Sequence, residues 1–524
     1  MFASGRIELR WLLLGALISC GPGCQWDVGS VDIRLVYSTR EDQNPLDPVR
    51  VGVRKLRLRV EGDSISPRVT ELALGEDGGG FADIPVGERI RVMVEGLDGS
   101  GYVRSRGVSA PIVTEAREQA LFLYLSLVGE LSGPPSTTEL SAPGFAERYR
   151  TRMRTGAGRA FHAAADLPDG LLLVAGGVGQ EPRGDPLARR LAASVFRTAE
   201  RFDPTAGAFL QDEPGEACAS GDRLCLQAGR AFFGFTLLPG RETLLAVGGE
   251  PIDAEFAAET FEPGLARFYP ARVGLARPRS RAAVVALDSP ERAQLVVGGV
   301  DAAGQLLDAI ELFDAERGLY AEVGRLSEAR AGPAAVLTPV GVLVLGGFRR
   351  FEEWPTLGEP VRDPSGRIDR VTFGGGGVVV ESLGELAEPR AEASAVWLGG
   401  EVLVCGGLSG ALTTLASCEL VDPRTGLSRP TDSVLFPRYR HTATPLEDGR
   451  VLVAGGFALG GVSAALNSAV LLDPLGGRRP VRLTMVARRA GHTASALGNG
   501  MVLLAGGQAE SGAPAIEDYE LFNP

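Results

Sequence analysis

Residues 438–441 read Arg438-Tyr439-Arg440-His441, and residues 451–456 read Val451-Leu452-Val453-Ala454-Gly455-Gly456. An arginine, an apolar run and a closing glycine pair make up this unit, and it recurs in both directions along the chain. Glycine pairs stand at Gly176-Gly177, Gly248-Gly249, Gly298-Gly299, Gly346-Gly347, Gly406-Gly407, Gly455-Gly456 and Gly506-Gly507, in steps of 72, 50, 48, 60, 49 and 51 residues. An apolar stretch precedes each pair, as in Leu171-Leu172-Leu173-Val174-Ala175 and Leu343-Val344-Leu345. An arginine lies 16 to 19 residues before each pair, at Arg159, Arg230, Arg279, Arg330, Arg390, Arg438 and Arg489. Behind the glycines comes an acidic segment, seen in Glu200-Arg201-Phe202-Asp203-Pro204, Glu311-Leu312-Phe313-Asp314 and Glu419-Leu420-Val421-Asp422-Pro423.

Self-similarity near 50 residues is the mark of a β-propeller, in which units that cannot bury their faces alone pack around an axis. The motif set resembles the kelch repeat, and the resemblance covers residues 144–524 as seven blades. It implies four antiparallel strands per blade and a structural role for the repeated arginines and acids. The glycines end the second strand, where the chain bends sharply and approaches its neighbour. The arginine of the first strand and the glutamate of the third are expected to pair once per blade, near the blade contacts. Blade 6 departs from the rule, with Val470 at the acidic position. The last unit stops at Glu520-Leu521-Phe522-Asn523-Pro524, its third strand, so a fourth strand must come from elsewhere. Residues from Phe145 to Met153 are expected to supply it.

Composition limits the function classes. Of 524 residues, 71 are glycine, about twice the usual share. A normal hydrophobic fraction of 44% speaks for many tight turns rather than disorder. A formal charge of −12 disfavours a nucleic-acid partner, which needs a basic face. Lys55 is the only lysine, so lysine-based catalysis is not expected.

The chain opens with a charged segment, the apolar run Trp11 to Ile18, and Ser19-Cys20. Residues 1–19 are therefore expected to be an export signal. Leu17-Ile18-Ser19-Cys20 resembles a bacterial lipobox, which implies acylation of Cys20 and a membrane held through an N-terminal lipid. Gly21 resembles the pattern that sorts to the outer membrane, so the expected location is the outer membrane or cell surface. Residues 20–28 form a tether. Residues 29–128 alternate with period two, as in Leu56, Leu58 and Val60, or Ile90, Val92 and Val94, and are expected to form a β-sandwich. That domain resembles the immunoglobulin-like and transthyretin-like domains of exported proteins and is expected to act as a spacer. Residues 129–143 have linker composition. In an exported protein, Cys218/Cys225 and Cys405/Cys418 are expected to be disulfides. Cys24 is left without a role.

His162, His441 and His492, the only histidines, each follow a repeat arginine by three residues. They fall on neighbouring blades, which suggests a metal site, but as repeat positions they are read as structural, and no metal or cofactor is expected. Galactose-oxidase-like chemistry needs tyrosines and a cysteine that this chain does not offer in that pattern. Chemistry resembling sugar mutarotases or epimerases stays as the alternative function. Insertions near residues 178–198, 210–228 and 348–377 should crowd one face, where long loops on a rigid scaffold usually recognise partners. Candidate contacts are Arg183, Asp185 and Arg189 in the first and Arg349, Arg350, Phe351 and Trp354 in the last, since aromatic and arginine side chains dominate hot spots. The expectation is a monomeric, non-catalytic module that binds an envelope protein or glycan.

Overall fold

The structure is a computed structural model. It describes residues 11–12, 30–37, 52–73, 84–115, 118–135, 144–153, 158–179, 195–211, 218, 222–238, 240, 242–252, 257–271, 274–289, 292–352, 361–374, 377–410, 413–431, 436–458 and 464–524. Among these the fold is all-β apart from one helical turn, Phe145–Arg148.

The alternating N-terminal residues form one continuous sheet curled into a half-barrel. Its strands run in the order Ser30–Tyr37, Glu118–Leu127, Val103–Val108, Arg89–Asp98, Val53–Gly62 and Arg68–Ala73. Ser30–Tyr37 and Glu118–Leu127 are parallel, and Trp11–Leu12 lies antiparallel to Asp32 and Ile33 at the edge. The two arms of the curl close on Val31, Ile33, Leu56, Leu58, Val60, Ile90, Val92, Val94, Leu123 and Leu125. The two-layer core expected of a sandwich thus lies between the arms of one sheet.

Seven antiparallel sheets, six of four strands and one of five, follow and close into a propeller. Second strands such as Leu172–Ala175, Val451–Ala454 and Val502–Ala505 are buried along their whole length. A strand covered on both faces needs such an unbroken apolar run. Six blades take all four strands from residues 163–484, and blade 4 adds the hairpin Phe348–Glu352/Val361–Pro364 between its second and third. Blade 7 holds Thr493–Ala496, Val502–Ala505 and Tyr519–Phe522, and an earlier segment of the chain completes it.

That segment is Leu131–Ser132, with Ser132 opposite Leu521 and Leu131 opposite Phe522. The ring closes with an N-terminal strand as expected, but the strand was placed too late. Phe145 and Tyr149 instead pack with Phe122 of the small domain, with ring centroids 5.2 and 5.8 Å from it. Tyr149–Arg150 then adds a fifth strand to blade 1, against Phe209 and Leu210. Leu131 leaves the small domain only a few residues after its last strand, and it is buried in the seam of blades 6 and 7 with Leu452, Leu504 and Phe522. The start of the expected linker is therefore part of the ring.

The small domain is also docked on the propeller. Phe122 and Tyr124 point out of its core into one shared with Phe202, Phe209, Leu503 and Tyr519 of the propeller. Asn523 Nδ2 donates to Arg106 O at 2.9 Å and Ser126 Oγ at 3.0 Å, and Asn499 Nδ2 donates to Pro204 O at 2.8 Å and Val108 O at 3.3 Å. Thr205 and Asn499 sit in turns between the third and fourth strands of blade 1 and the first and second of blade 7. Such turns lie at the opposite end of each blade from the glycine pairs.

Candidate functional site

Each glycine pair turns its chain through the left-handed region, Gly455 at φ 60° and Gly456 at φ 96°. A Cβ on Gly455 would strike the carbonyl oxygen of Arg489 in the next blade, so no other residue fits. The second glycine of every pair donates its N–H to the carbonyl of the next blade's arginine. The series runs from Gly177 to Arg230 O (2.8 Å) through to Gly507 to Arg159 O (2.9 Å), where the ring closes on itself.

The arginine side chains point inward and are buried. Arg159 pairs with Glu200 at 2.5 Å and Arg489 with Glu520 at 2.9 Å. Arg230, Arg279 and Arg390 pair with Glu259, Glu311 and Glu419, and Arg330 with the shorter Asp369. Each arginine also donates to the first glycine's carbonyl, as Arg438 does to Gly455 O at 2.9 Å. The expected ion pair therefore exists in six blades, and the arginine also ties down the bend that follows the second strand.

The histidines belong to the same frame. His162 Nε2 meets Thr493 Oγ1 at 2.8 Å, His441 Nε2 meets Ser394 Oγ at 2.8 Å, and His492 Nε2 meets Thr442 Oγ1 at 3.0 Å. Each bond crosses to the first strand of the preceding blade. Burial and the nearby Arg159 push His162 down to about 3, and burial with Arg438 and Arg390 does the same to His441. Among the described residues no three His, Cys, Asp or Glu side chains converge so as to hold a metal ion.

Two residues after each repeat arginine the chain adopts the left-handed conformation. Phe161, Phe232, Arg281, Gly332, Glu392, Arg440 and Gly491 have φ between 50° and 62°. That region is costly for residues with a Cβ, and five of the seven carry one. Their backbones bond around the axis, with Phe161 N to Gly491 O, Phe232 N to Phe161 O, Gly332 N to Arg281 O, Arg440 N to Glu392 O and Gly491 N to Arg440 O. Their side chains meet at the mouth of the channel. Phe161 and Phe232 stack with centroids 4.3 Å apart, and the Arg281 guanidinium lies 4.2 Å from the Phe232 centroid. Glu392 receives Arg440 at 2.9 and 3.0 Å and Arg281 at 3.5 Å, while Glu250 receives Arg281 at 3.1 Å. Gly491 leaves the room that Phe161 fills, since a Cβ there would overlap its ring. This plug of two aromatic rings and matched charges was not read from the sequence. Its signal was positional, one column of the repeat immediately before the histidines.

The plug lies at the end of the blades bearing the glycine pairs, away from the small domain. Loops joining second to third strands leave from this end, and the blade 4 hairpin rises among them. The structure brings Arg349, Arg350 and Phe351 onto one strand of that hairpin. Arg349 is exposed and pairs with Asp363 across it at 3.0 Å, which raises its pKa further. Trp354, Arg183, Asp185 and Arg189 lie outside the described residues, as do Cys20 and the segment carrying the expected signal cleavage. Cys218–Cys225 and Cys405–Cys418 are disulfides, with Cα atoms 5.5 and 4.1 Å apart. The second insertion differs from expectation in its described part. Leu224 and Leu226 dive between blades 1 and 2 and are buried there with Leu173, Leu244 and Phe268. These described residues fill a seam between blades.

The fold defines the chain as a seven-bladed β-propeller with a docked half-barrel domain. No protein-family model and no curated protein matches the sequence. Among solved structures, one titled "Structure of YjhT" is similar over 63% of this chain and 99% of that one, at 12% identity and a TM-score of 0.44. Likeness that distant transfers no activity.

Proposed function

We propose that this chain is a kelch-type propeller lipoprotein, held in the cell envelope through Cys20, that binds a protein or glycan with the face carrying the blade 4 hairpin. The arrangement of the two faces is the observation that carries this reading. The small domain occupies the face of the Thr205 and Asn499 turns, where Ala110 N donates to Thr205 Oγ1 and Val108 O accepts from Asn499. An anchor at the head of that domain leaves the opposite face turned away from the membrane. There the blade 4 hairpin leaves the ring at the same end as a plug whose ionic side chains engage one another. Binding by loops on a rigid ring fits that layout better than chemistry in the channel.

A glycan array and a panel of purified envelope proteins, probed with the native chain and with residues 353–360 replaced by glycine and serine, test it. The expected result is binding by the native chain and its loss in the replaced form at unchanged melting temperature. Equal binding by both would move recognition off this face. Turnover of a sugar by mutarotation or oxidation would favour the enzymatic alternative. Cys20→Ser should abolish lipid labelling and release the protein from the membrane fraction, and retention with labelling would refute the anchor.

A further inference from the structure

Blade 6 treats its buried arginine differently from the other six blades. Arg438 is completely buried, yet among the described residues it meets no carboxylate. Its Nε donates to Phe436 O at 3.2 Å, its Nη1 to Gly455 O and Ser468 O at 2.9 and 3.1 Å, and its Nη2 to Ser468 Oγ at 3.0 Å. All four partners are neutral. Val470 stands in register with Val453 and Arg482 where Glu419, in blade 5, stands in register with Val404 and Pro430. Its side chain is apolar and shorter than the glutamate found at the equivalent place.

The acids of the other blades do more than face their arginine. Glu311 accepts the N–H groups of Ala276 and Arg277 at 2.7 and 3.1 Å, Glu419 those of Ala387 and Glu388, and Glu520 those of Val486 and Ala487. The same positions in blade 6 are Leu435, outside the described residues, and Phe436. Positive charge also gathers there, with the exposed Arg482 guanidinium 5.1 Å from the Phe436 ring centroid. A guanidinium taken out of water with no counter-charge is unfavourable by several kcal/mol, and an anion that binds only the folded state relieves it. Burial alone pushes Arg438 down to about 10, the direction expected of a cation lacking an acid.

We propose that blade 6 binds a small monovalent anion, of chloride or formate size, between Arg438 and the Phe436 amide, where the other blades hold a side-chain carboxylate. The anion is a structural ligand of the ring, separate from recognition on the hairpin-bearing face.

The full chain is melted as chloride replaces gluconate at fixed ionic strength, and the excess chloride NMR linewidth is measured alongside. The native protein should show a saturable rise of about 2 °C and an excess linewidth that formate titrates away. Val470→Glu should melt higher in gluconate, lose the chloride response and lose the linewidth. Equal chloride responses in the native chain and in Val470→Glu would overturn the site, as would no response in the native chain. A response absent from the native chain but present in Asp432→Asn would assign the counter-charge to Asp432 and equally overturn it. If Val470→Glu does not fold, the native linewidth decides: displacement by formate supports the site, and no excess linewidth refutes it.

Discussion

Replacing Glu311 with alanine should destabilise the ring severely. The side chain is fully buried, and its oxygens accept from Arg279 Nη2 and from the amides of Ala276 and Arg277. Removing it leaves Arg279, also fully buried, with carbonyl partners only, Gly298 O at 3.0 Å, Ala309 O at 2.9 Å and Arg277 O at 2.9 Å. Breaking a buried pair by deleting one partner costs about 3–5 kcal/mol. At about 2 °C per kcal/mol for a large domain, that corresponds to a melting temperature lower by roughly 6–10 °C. Urea titration should show a lower midpoint at an unchanged m-value, the sign of lost stability without a change in compactness. The contrasting variant is Glu311→Val, which recreates the pattern of blade 6. If Glu311→Ala and Glu311→Val both melt within about 1 °C of the native chain, the ion pair is not the tie that the structure makes it.

Acidification tests the histidines. His162 and His441 titrate near 3 in the fold against an ordinary value of 6.5, so between those pH values the unfolded chain binds their protons first. Their contribution is full above pH 6.5 and declines as pH falls toward 3, at about 1.4 kcal/mol per pH unit for each. His441→Gln should flatten the slope by that amount, and an imidazole NMR signal titrating near 6.5 in the folded chain would contradict it. Asn523→Ala removes the donor shared by Arg106 O and Ser126 Oγ and should cost about 1–3 kcal/mol. Calorimetry should give one transition for the native chain, and two independent ones would refute the docking of the small domain. Gly491→Ala places a Cβ in the Phe161 ring at φ 62°, whereas Gly332→Ala at φ 57° meets only the Glu392 side chain at 3.8 Å. The first should be worse by about 1–3 kcal/mol, the usual cost of overpacking, and equal melting temperatures would mean that the plug is not tightly packed.

The ring was legible because its signals repeat. Any one glycine pair after an apolar run is weak, but seven at similar spacing with an arginine ahead leave few alternatives. Even the exception at Val470 could be read, since the column it breaks is otherwise acidic. Leu131–Ser132 was not legible. Two residues in a Gly- and Pro-rich stretch carry no periodicity, and what makes them a strand is Phe522 arriving from the far end of the chain. The channel plug was missed for a different reason. Phe, Arg, Gly and Glu share no chemistry in that column; they share a backbone conformation that sequence alone does not display. One signal was present and unread, the run Leu121-Phe122-Leu123-Tyr124-Leu125, apolar at every position. A strand covered on one face alternates, so this one had to be covered on both, and its second cover is the propeller.

Closure and docking together constrain how recognition can work. Gly129 N bonds to Asn523 O at 2.7 Å, so the strand that completes blade 7 leaves the small domain beside the chain's last residues. Every blade is joined to the next by a glycine–arginine backbone bond, and the last is joined to the first. A ligand that acted by opening the ring would have to break such a bond, disturb the buried arginine network behind it, or free Leu131–Ser132 from Tyr519–Phe522. A ligand that met only the hairpin and neighbouring loops would disturb none of these. The plug points the same way, because Phe161, Phe232, Arg281, Glu392 and Arg440 already use one another's faces and charges. A partner bound as proposed would therefore be selected by the loops, with the ring holding them still.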